Sequence, residues 1–476
     1  MDFNTFWTIF SSVPTHDVLA KDSWIDILRG LLRVLIPMFF VLLTVPPLIW
    51  VERRLLGFMQ QRQGPNRVGP GGIIQPLADA LKLLMKEDII PNNVDRLLYI
   101  LAPIVCLVPA MVTAGVLPWH PSLIWGVGAP NVDIGVLYLL AWGSLAVYGI
   151  VMAGWSSNNK YALLGGLRSS AQMISYELGM GIAVVTVGLM SGAINTQQIV
   201  FDQSAYGWVL DTAKSTAAHP VYTWAIVNKP WLGIFNPWHI GQLFPMGFVA
   251  AVIYMIAGLA ETNRAPFDLP EAETELIAGY HIEYTSMKFA MFFMGEYANM
   301  VVVSLIATTL FFGGWSTPFS FIDAYIPLTI GGFPIGGLIP ILTMTIKTWI
   351  GMYVFIWLRA TLPRLRYDML MAFGWKGVLP IALGNIFCVA ISFTYGYPVA
   401  LITWVVLAAL SIVIVASQKS TKIFTEKTRR SADLKSFATA QTFRVAPQPA
   451  AAGGSVRPVV AATEVNGRPS AEEIVK

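Results

Sequence analysis

A chain of 476 residues that is 55% hydrophobic, 12% aromatic and only 12% charged is not a water-soluble globular protein. Its formal net charge of +4 gives no reason to expect a nucleic-acid partner. Outward-facing β-barrel strands would alternate over about ten residues. No such alternation is present, and membrane-spanning helices are the expectation.

The first 25 residues, with Asp2 and no basic start, do not read as a cleaved signal peptide. Windows of roughly 20 apolar residues, the length that crosses a hydrocarbon core about 30 Å thick, then recur at about 31–51, 97–118, 132–154, 172–192, 240–260, 287–312, 339–360, 376–395 and 398–417. The expected fold is all-α, a polytopic membrane protein with about nine transmembrane helices. Pro37, Pro46 and Pro47 in the first window are compatible with this, since neighbouring helices and waters satisfy the freed carbonyls. Of the 31 Lys and Arg residues, 25 fall in segments 52–96, 155–171, 261–288, 359–376 and 418–476. Basic residues mark the cytoplasmic side, which places the N-terminus outside and the C-terminus in the cytoplasm. Residues 1–418 are the expected transmembrane domain, with cytoplasmic loops at 52–96, 155–171, 261–288 and 359–376. Residues 419–476 read as a disordered tail, basic and then rich in Ala and Pro.

Within the first cytoplasmic segment, QGPNRVGPGG is turn chemistry. After it, Ile74, Leu77, Ala78, Leu81, Leu84 and Met85 follow a three-four spacing interrupted by Asp79, Lys82 and Lys86, which predicts a short amphipathic helix on the membrane surface. The external segment 193–239 holds Trp208, Trp224, Trp231 and Trp238, suited to an interface. No repeated halves are visible, so an inverted-repeat transporter has no support. Cys106 and Cys388 lie in separate spans without CxxC or iron–sulfur spacing. No redox centre and no metal site is expected in this chain.

The segment AETNRAPFDLPEAETELIAGYHIEYTSMK places Glu261, Asp268, Glu271, Glu273, Glu275 and Glu283 within 23 residues. Glu271 and Glu275, four apart, would share a helix face. Like charges so close raise one another's pKa values and titrate as a coupled set able to hold or pass protons. A solvated acidic loop is the equally open alternative. Glu177, Glu296 and Lys347 lie within apolar windows, where each would cost roughly 2.5–3.5 kcal/mol at a helix centre. For Glu177, about one turn inside its window, snorkelling is a sufficient account. For Glu296 and Lys347 the expectation is function or mutual pairing.

Four blocks resemble a known family in the family's order: ERRLLGFMQQRQGPNRVGPGGIIQPLADALKLLMKE, SSNNKYALLGGLRSSAQMISYEL, AETNRAPFDLPEAETELIAGYHIEY and WLRATLPRLRYDMLM. They are similar to the H-subunit family of the bacterial proton-pumping NADH:quinone oxidoreductase, respiratory complex I, over roughly residues 25–417. The resemblance implies a multi-pass subunit of the bacterial inner membrane that anchors the peripheral arm. It implies that Glu52, Arg53, Asp79, Ala80, Lys82, Arg264 and Asp268 border a chamber for ubiquinone or menaquinone. It implies also that Glu177, Glu261, Glu271, Glu273, Glu275, Glu283 and Glu296 begin a proton path, with Lys347 and Arg359 as charge partners. NADH, FMN and iron–sulfur clusters would belong to partner subunits of the peripheral arm, and antiporter-like membrane subunits would continue the path. The alternative within the same lineage is the anchor of a membrane-bound hydrogenase or a related dehydrogenase. Outside it stand a self-contained ion transporter and a purely structural anchor.

Overall fold

The computed structural model describes residues 24–119, 132–203, 206–210, 222–226, 246–268, 279–316, 338–395, 399 and 401–409. Glu271, Glu273, Glu275 and the tail from 419 lie outside them. Contacts divide the chain into two units, Met1–Leu407 and Ala408–Lys476. Only residues 408 and 409 of the second are described, both helical.

The first unit is a helical assembly. In chain order it contains α1 (Trp24–Met59), α2 (Gln75–Met85), α3 (Arg96–Ala114), α4 (Gly135–Ser156), α5 (Lys160–Ser191), α6 (Thr196–Gln203), α7 (Met246–Glu261), α8 (Ser286–Phe311) and α9 (Leu338–Thr361). It continues with α10 (Tyr367–Tyr395), which contains a π-helical turn at Gly374–Val378. One short antiparallel pair, β1 (Tyr206–Leu210) and β2 (Tyr222–Ile226), departs from the all-α expectation. Among the described residues, seven helices are long and apolar enough to cross a membrane, and α7 is a shorter apolar helix. All eight fall on the expected windows.

The polar segments differ from the expected loops. α1 continues past its proline pair to Met59, so Glu52 and Arg53 are helical residues and not the start of a loop. α5 begins at Lys160, where the Asn159 side chain accepts from the backbone of Tyr161. Most of 155–171 is therefore helix, because KYALLGGLRSSAQ contains no proline and its Gly165 and Gly166 are held by close packing against Gly279 and Gly154. Glu177 consequently lies roughly five turns inside α5, and snorkelling from a helix end does not account for it.

α3, α4, α5 and α7 pack in succession, and α8 lies among α1, α3, α7 and α9. α8 is buried almost all round, as expected for a helix without a polar face. Close approach relies on glycines, the usual device between helices in lipid. A Cβ added to Gly165 on α5 would meet Gly279 Cα at 2.7 Å, and Gly279 itself adopts φ +60°. This contact seats the 3-10 turn Gly279–His281 against α5. Gly165→Ala is expected to destabilise the fold by about 1–3 kcal/mol through overpacking. Thermal denaturation of the purified protein checks this, and an unchanged midpoint would mean that the turn can move away freely.

Candidate functional site

The surface helix α2 carries Asp79, which accepts from Arg53 Nη1 at 2.5 Å and from Gln75 Nε2 at 3.1 Å. Trp50 Nε1 on α1 donates to Gly71 O in the preceding turn. These contacts hold the glycine-rich turn and α2 against α1. Ala80 and Lys82 lie on the same helix, between Asp79 and its C-terminal end.

Immediately before Arg53, the chain buries a carboxylate. Glu52 is 3% exposed. Its Oε2 accepts from the Tyr297 hydroxyl at 2.6 Å, and its Oε1 faces Arg264 Nη1 at 3.6 Å and is hydrogen-bonded by Arg359. The Arg264 guanidinium also lies 4.1 Å from the centroid of the Tyr297 ring. Four elements meet here: α1, the turn after α7, α8 and the end of α9.

The turn is held by its own chemistry. Gln172 Nε2 donates to Ala260 O at 2.8 Å and to Phe267 O at 2.7 Å, and Leu365 N donates to Pro266 O. Asn263, with φ +50°, reverses the chain so that Arg264 points inward. Burial opposes the charge on Arg264, but Tyr297 and Glu52 outweigh it and hold its pKa above the ordinary value. Two Arg264 nitrogens, Nε and Nη2, remain buried without a partner. Glu296 also attracts Arg264, so two carboxylates act on the two guanidiniums.

A second carboxylate follows directly. Glu296, adjacent to Tyr297 in α8, accepts from Tyr280 OH at 2.9 Å. Tyr280 belongs to the turn seated on Gly165. Next to it, burial pushes His281 down to about 4, against the attraction of Asp268. His281 is therefore neutral at physiological pH.

A third group lies deeper between the helices. Glu177 and Glu261 line one cavity of about 30 Å³, together with Tyr254, Asn299 and Thr113. Glu261 Oε2 is buried without a partner. A water needs roughly 10–15 Å³ and two to four polar partners, so this space holds about two.

Not every expected residue joins these groups. Glu283 accepts from Asn159 Nδ2 at 2.7 Å, which fixes it to the start of α5. Lys347 does not pair with Glu296. Its Nζ donates to Phe312 O, Gly314 O and Ser316 O at 2.6, 3.0 and 2.5 Å, at the far end of α8. A cation at those carbonyls complements the negative end of the helix, and Glu296 sits on the order of 24 Å away along the axis. Sequence reasoning missed Tyr297, Tyr280, Tyr254 and Gln172. The only available signal was that Tyr297 directly follows a carboxylate inside an apolar run.

Comparison with known proteins identifies related chains. The family described as NADH dehydrogenase matches residues 32–390. An H-type subunit of NADH-quinone oxidoreductase from Koribacter versatilis, the one numbered 2, is 43% identical over 380 residues, covering 77% of this chain and 97% of the relative. NADH-quinone oxidoreductase subunit 8 of Rhodothermus marinus is 44% identical over 357 residues, covering 74% and 93%. The H-type subunit of the same oxidoreductase from Rickettsia canadensis is 46% identical over 345 residues, covering 72% and 87%.

Proposed function

Since the chain belongs to the NADH dehydrogenase family, as a membrane subunit of NADH-quinone oxidoreductase, we propose that it builds the quinone chamber and couples quinone reduction to proton movement. The observation that carries this reading is the buried cluster of Glu52, Arg264, Arg359 and Tyr297, one residue along α8 from Glu296. Buried charge in a membrane protein is expensive and marks function by default. The Arg264 and Arg359 guanidiniums stabilise negative charge that develops on a quinone head as electrons arrive. Those electrons come from an iron–sulfur cluster of a peripheral-arm subunit, downstream of FMN and NADH.

In this reading Arg53, Asp79 and the α1–α2 turn border the quinone entrance, with Ala80 and Lys82 toward the membrane surface. Arg264 and Asp268 line the chamber. Glu296, Glu261 and Glu177 then begin a proton path toward the antiporter-like subunits, to which Glu271, Glu273, Glu275 and Glu283 also contribute. The chain crosses a bacterial inner membrane about nine times, N-terminus outside and C-terminus in the cytoplasm, with residues 419–476 as a tail. The substrate is ubiquinone or menaquinone.

The entrance assignment is tested by steady-state kinetics on the purified complex carrying Arg53→Ala or Asp79→Asn. An ion pair exposed by 46% and 27% contributes only about 0–1 kcal/mol to stability, so assembly persists. The apparent KM for a short-chain quinone should rise severalfold with kcat little changed. If KM and inhibitor sensitivity both stay at the unsubstituted values, neither residue borders the entrance.

A further inference from the structure

One face of α5 seats two turns of the chain. Gly165 and Gln172 stand about two helical turns apart and so lie on the same side of the helix. Gly165 receives the turn Gly279–His281, whose Tyr280 hydroxyl donates to Glu296. Gln172 receives the turn that follows α7. Its side chain is fully buried, and its Nε2 donates to Ala260 O at 2.8 Å and to Phe267 O at 2.7 Å. These two carbonyls bracket residues 261–266, so a single amide closes both ends of the turn. Among neutral side chains only Asn and Gln carry two N–H donors on one atom, and Gln172 directs both at this turn. Its Oε1 has no hydrogen-bond partner among the described residues.

The bracketed residues serve two different places. Arg264 reaches the Glu52 cluster, whereas Glu261 lines the cavity that it shares with Glu177. The shape of this one short turn therefore sets the separation of the two groups. Asn263 at φ +50° makes the reversal, and Phe267 N donates to Arg264 O inside it. Leu365 N anchors the turn at Pro266 O, near one end, while Gln172 ties both ends to α5. A reacting group displaced by about 1 Å can lose on the order of 10²-fold in rate. Resting on the function proposed above, we propose that Gln172 is a positioning residue for both halves of it. Gln172 fixes Arg264 and Glu261 relative to each other, and to Glu177 further along α5, without itself touching quinone or carrying a proton.

Gln172→Met in the purified complex keeps the length of the side chain and removes both donors. Per assembled complex, kcat for NADH-driven reduction of a short-chain quinone should fall about tenfold or more, with apparent KM within about twofold. In reconstituted vesicles, protons pumped per quinone reduced should fall roughly twofold or more as Glu261 loses its place. A residue that served folding alone would lower the yield or the melting temperature and leave both readouts unchanged in the complex that assembles. That result overturns the proposal. So does a raised KM with kcat unchanged, because Gln172 would then shape binding. Gln172→Asn keeps the amide but shortens its reach by one methylene, and it should give an intermediate kcat. If Gln172→Met does not assemble, Gln172→Asn decides by the same readouts. Failure of both variants to assemble also overturns the proposal, since the residue is then needed for the fold itself. Glu261→Gln is measured alongside. If it loses pumping while Gln172→Met behaves as the unsubstituted complex, the positioning role alone is wrong. If Glu261→Gln also pumps normally, the proton-path reading fails and the positioning role falls with it.

Discussion

Glu52→Gln should lower both the stability of the assembled complex and its quinone reduction by more than any other single change at the site. The amide keeps the shape of the side chain but takes from Arg264, 6% exposed, and from Arg359 the carboxylate they share, leaving only the attraction of Glu296 on Arg264. Removing one partner from a buried ion pair typically costs about 3–5 kcal/mol, because the remaining charge stays desolvated. The Arg264 arm dominates that figure. The Arg359 arm is 30% exposed, and water screens it. Adding Arg359→Gln to Glu52→Gln removes one of the two stranded charges and should recover part of the stability without recovering activity. Thermal denaturation of the purified complex, alongside NADH-driven quinone reduction, separates the two effects. A single variant as stable as the unsubstituted protein would show that Arg264 does not depend on Glu52.

Glu261→Gln should do the reverse, leaving assembly intact while proton pumping falls at least about tenfold. A positioned proton donor or acceptor contributes roughly 10²–10⁴ to a transfer step, and an amide cannot replace it. The substitution changes little volume in a cavity of about 30 Å³, so packing survives. Glu261 Oε2 has no hydrogen-bond partner to lose. Reconstituted vesicles reporting internal pH, with quinone reduction followed in parallel, measure the outcome. Glu177→Gln, on the other side of the same cavity, should behave alike. Normal pumping in both variants would remove this cavity from the proton path.

The spans were legible in the sequence because a run of about 20 apolar residues has few other uses. Where helices extend past the bilayer, that signal vanishes. Lys160, Arg168 and Ser169 looked like loop residues, yet Ser169, Ser170 and Gln172 are buried inside α5. Polar residues on a helix buried by neighbours carry no periodic apolar stripe for sequence reading to find. The charged groups were individually conspicuous, but their partnerships were not. Glu52 meets Arg359 across 307 positions of sequence and Tyr297 across 245. Such pairings depend on which helices become neighbours, a tertiary fact that spacing cannot encode. Lys347 illustrates the same limit. Charge balance suggested a carboxylate, whereas backbone carbonyls at a helix end serve it equally well.

Glu296 and Tyr297 are consecutive residues on α8, so they leave the helix about 100° apart. One reaches the turn carrying Tyr280, and the other reaches Glu52 beside Arg264. The two hydrogen bonds therefore share a single axle. A rotation of α8 that draws the Glu296 carboxylate from Tyr280 must also swing the Tyr297 hydroxyl relative to Glu52. The two hydrogen bonds are thus mechanically tied through one helix, in addition to the direct attraction between Glu296 and Arg264.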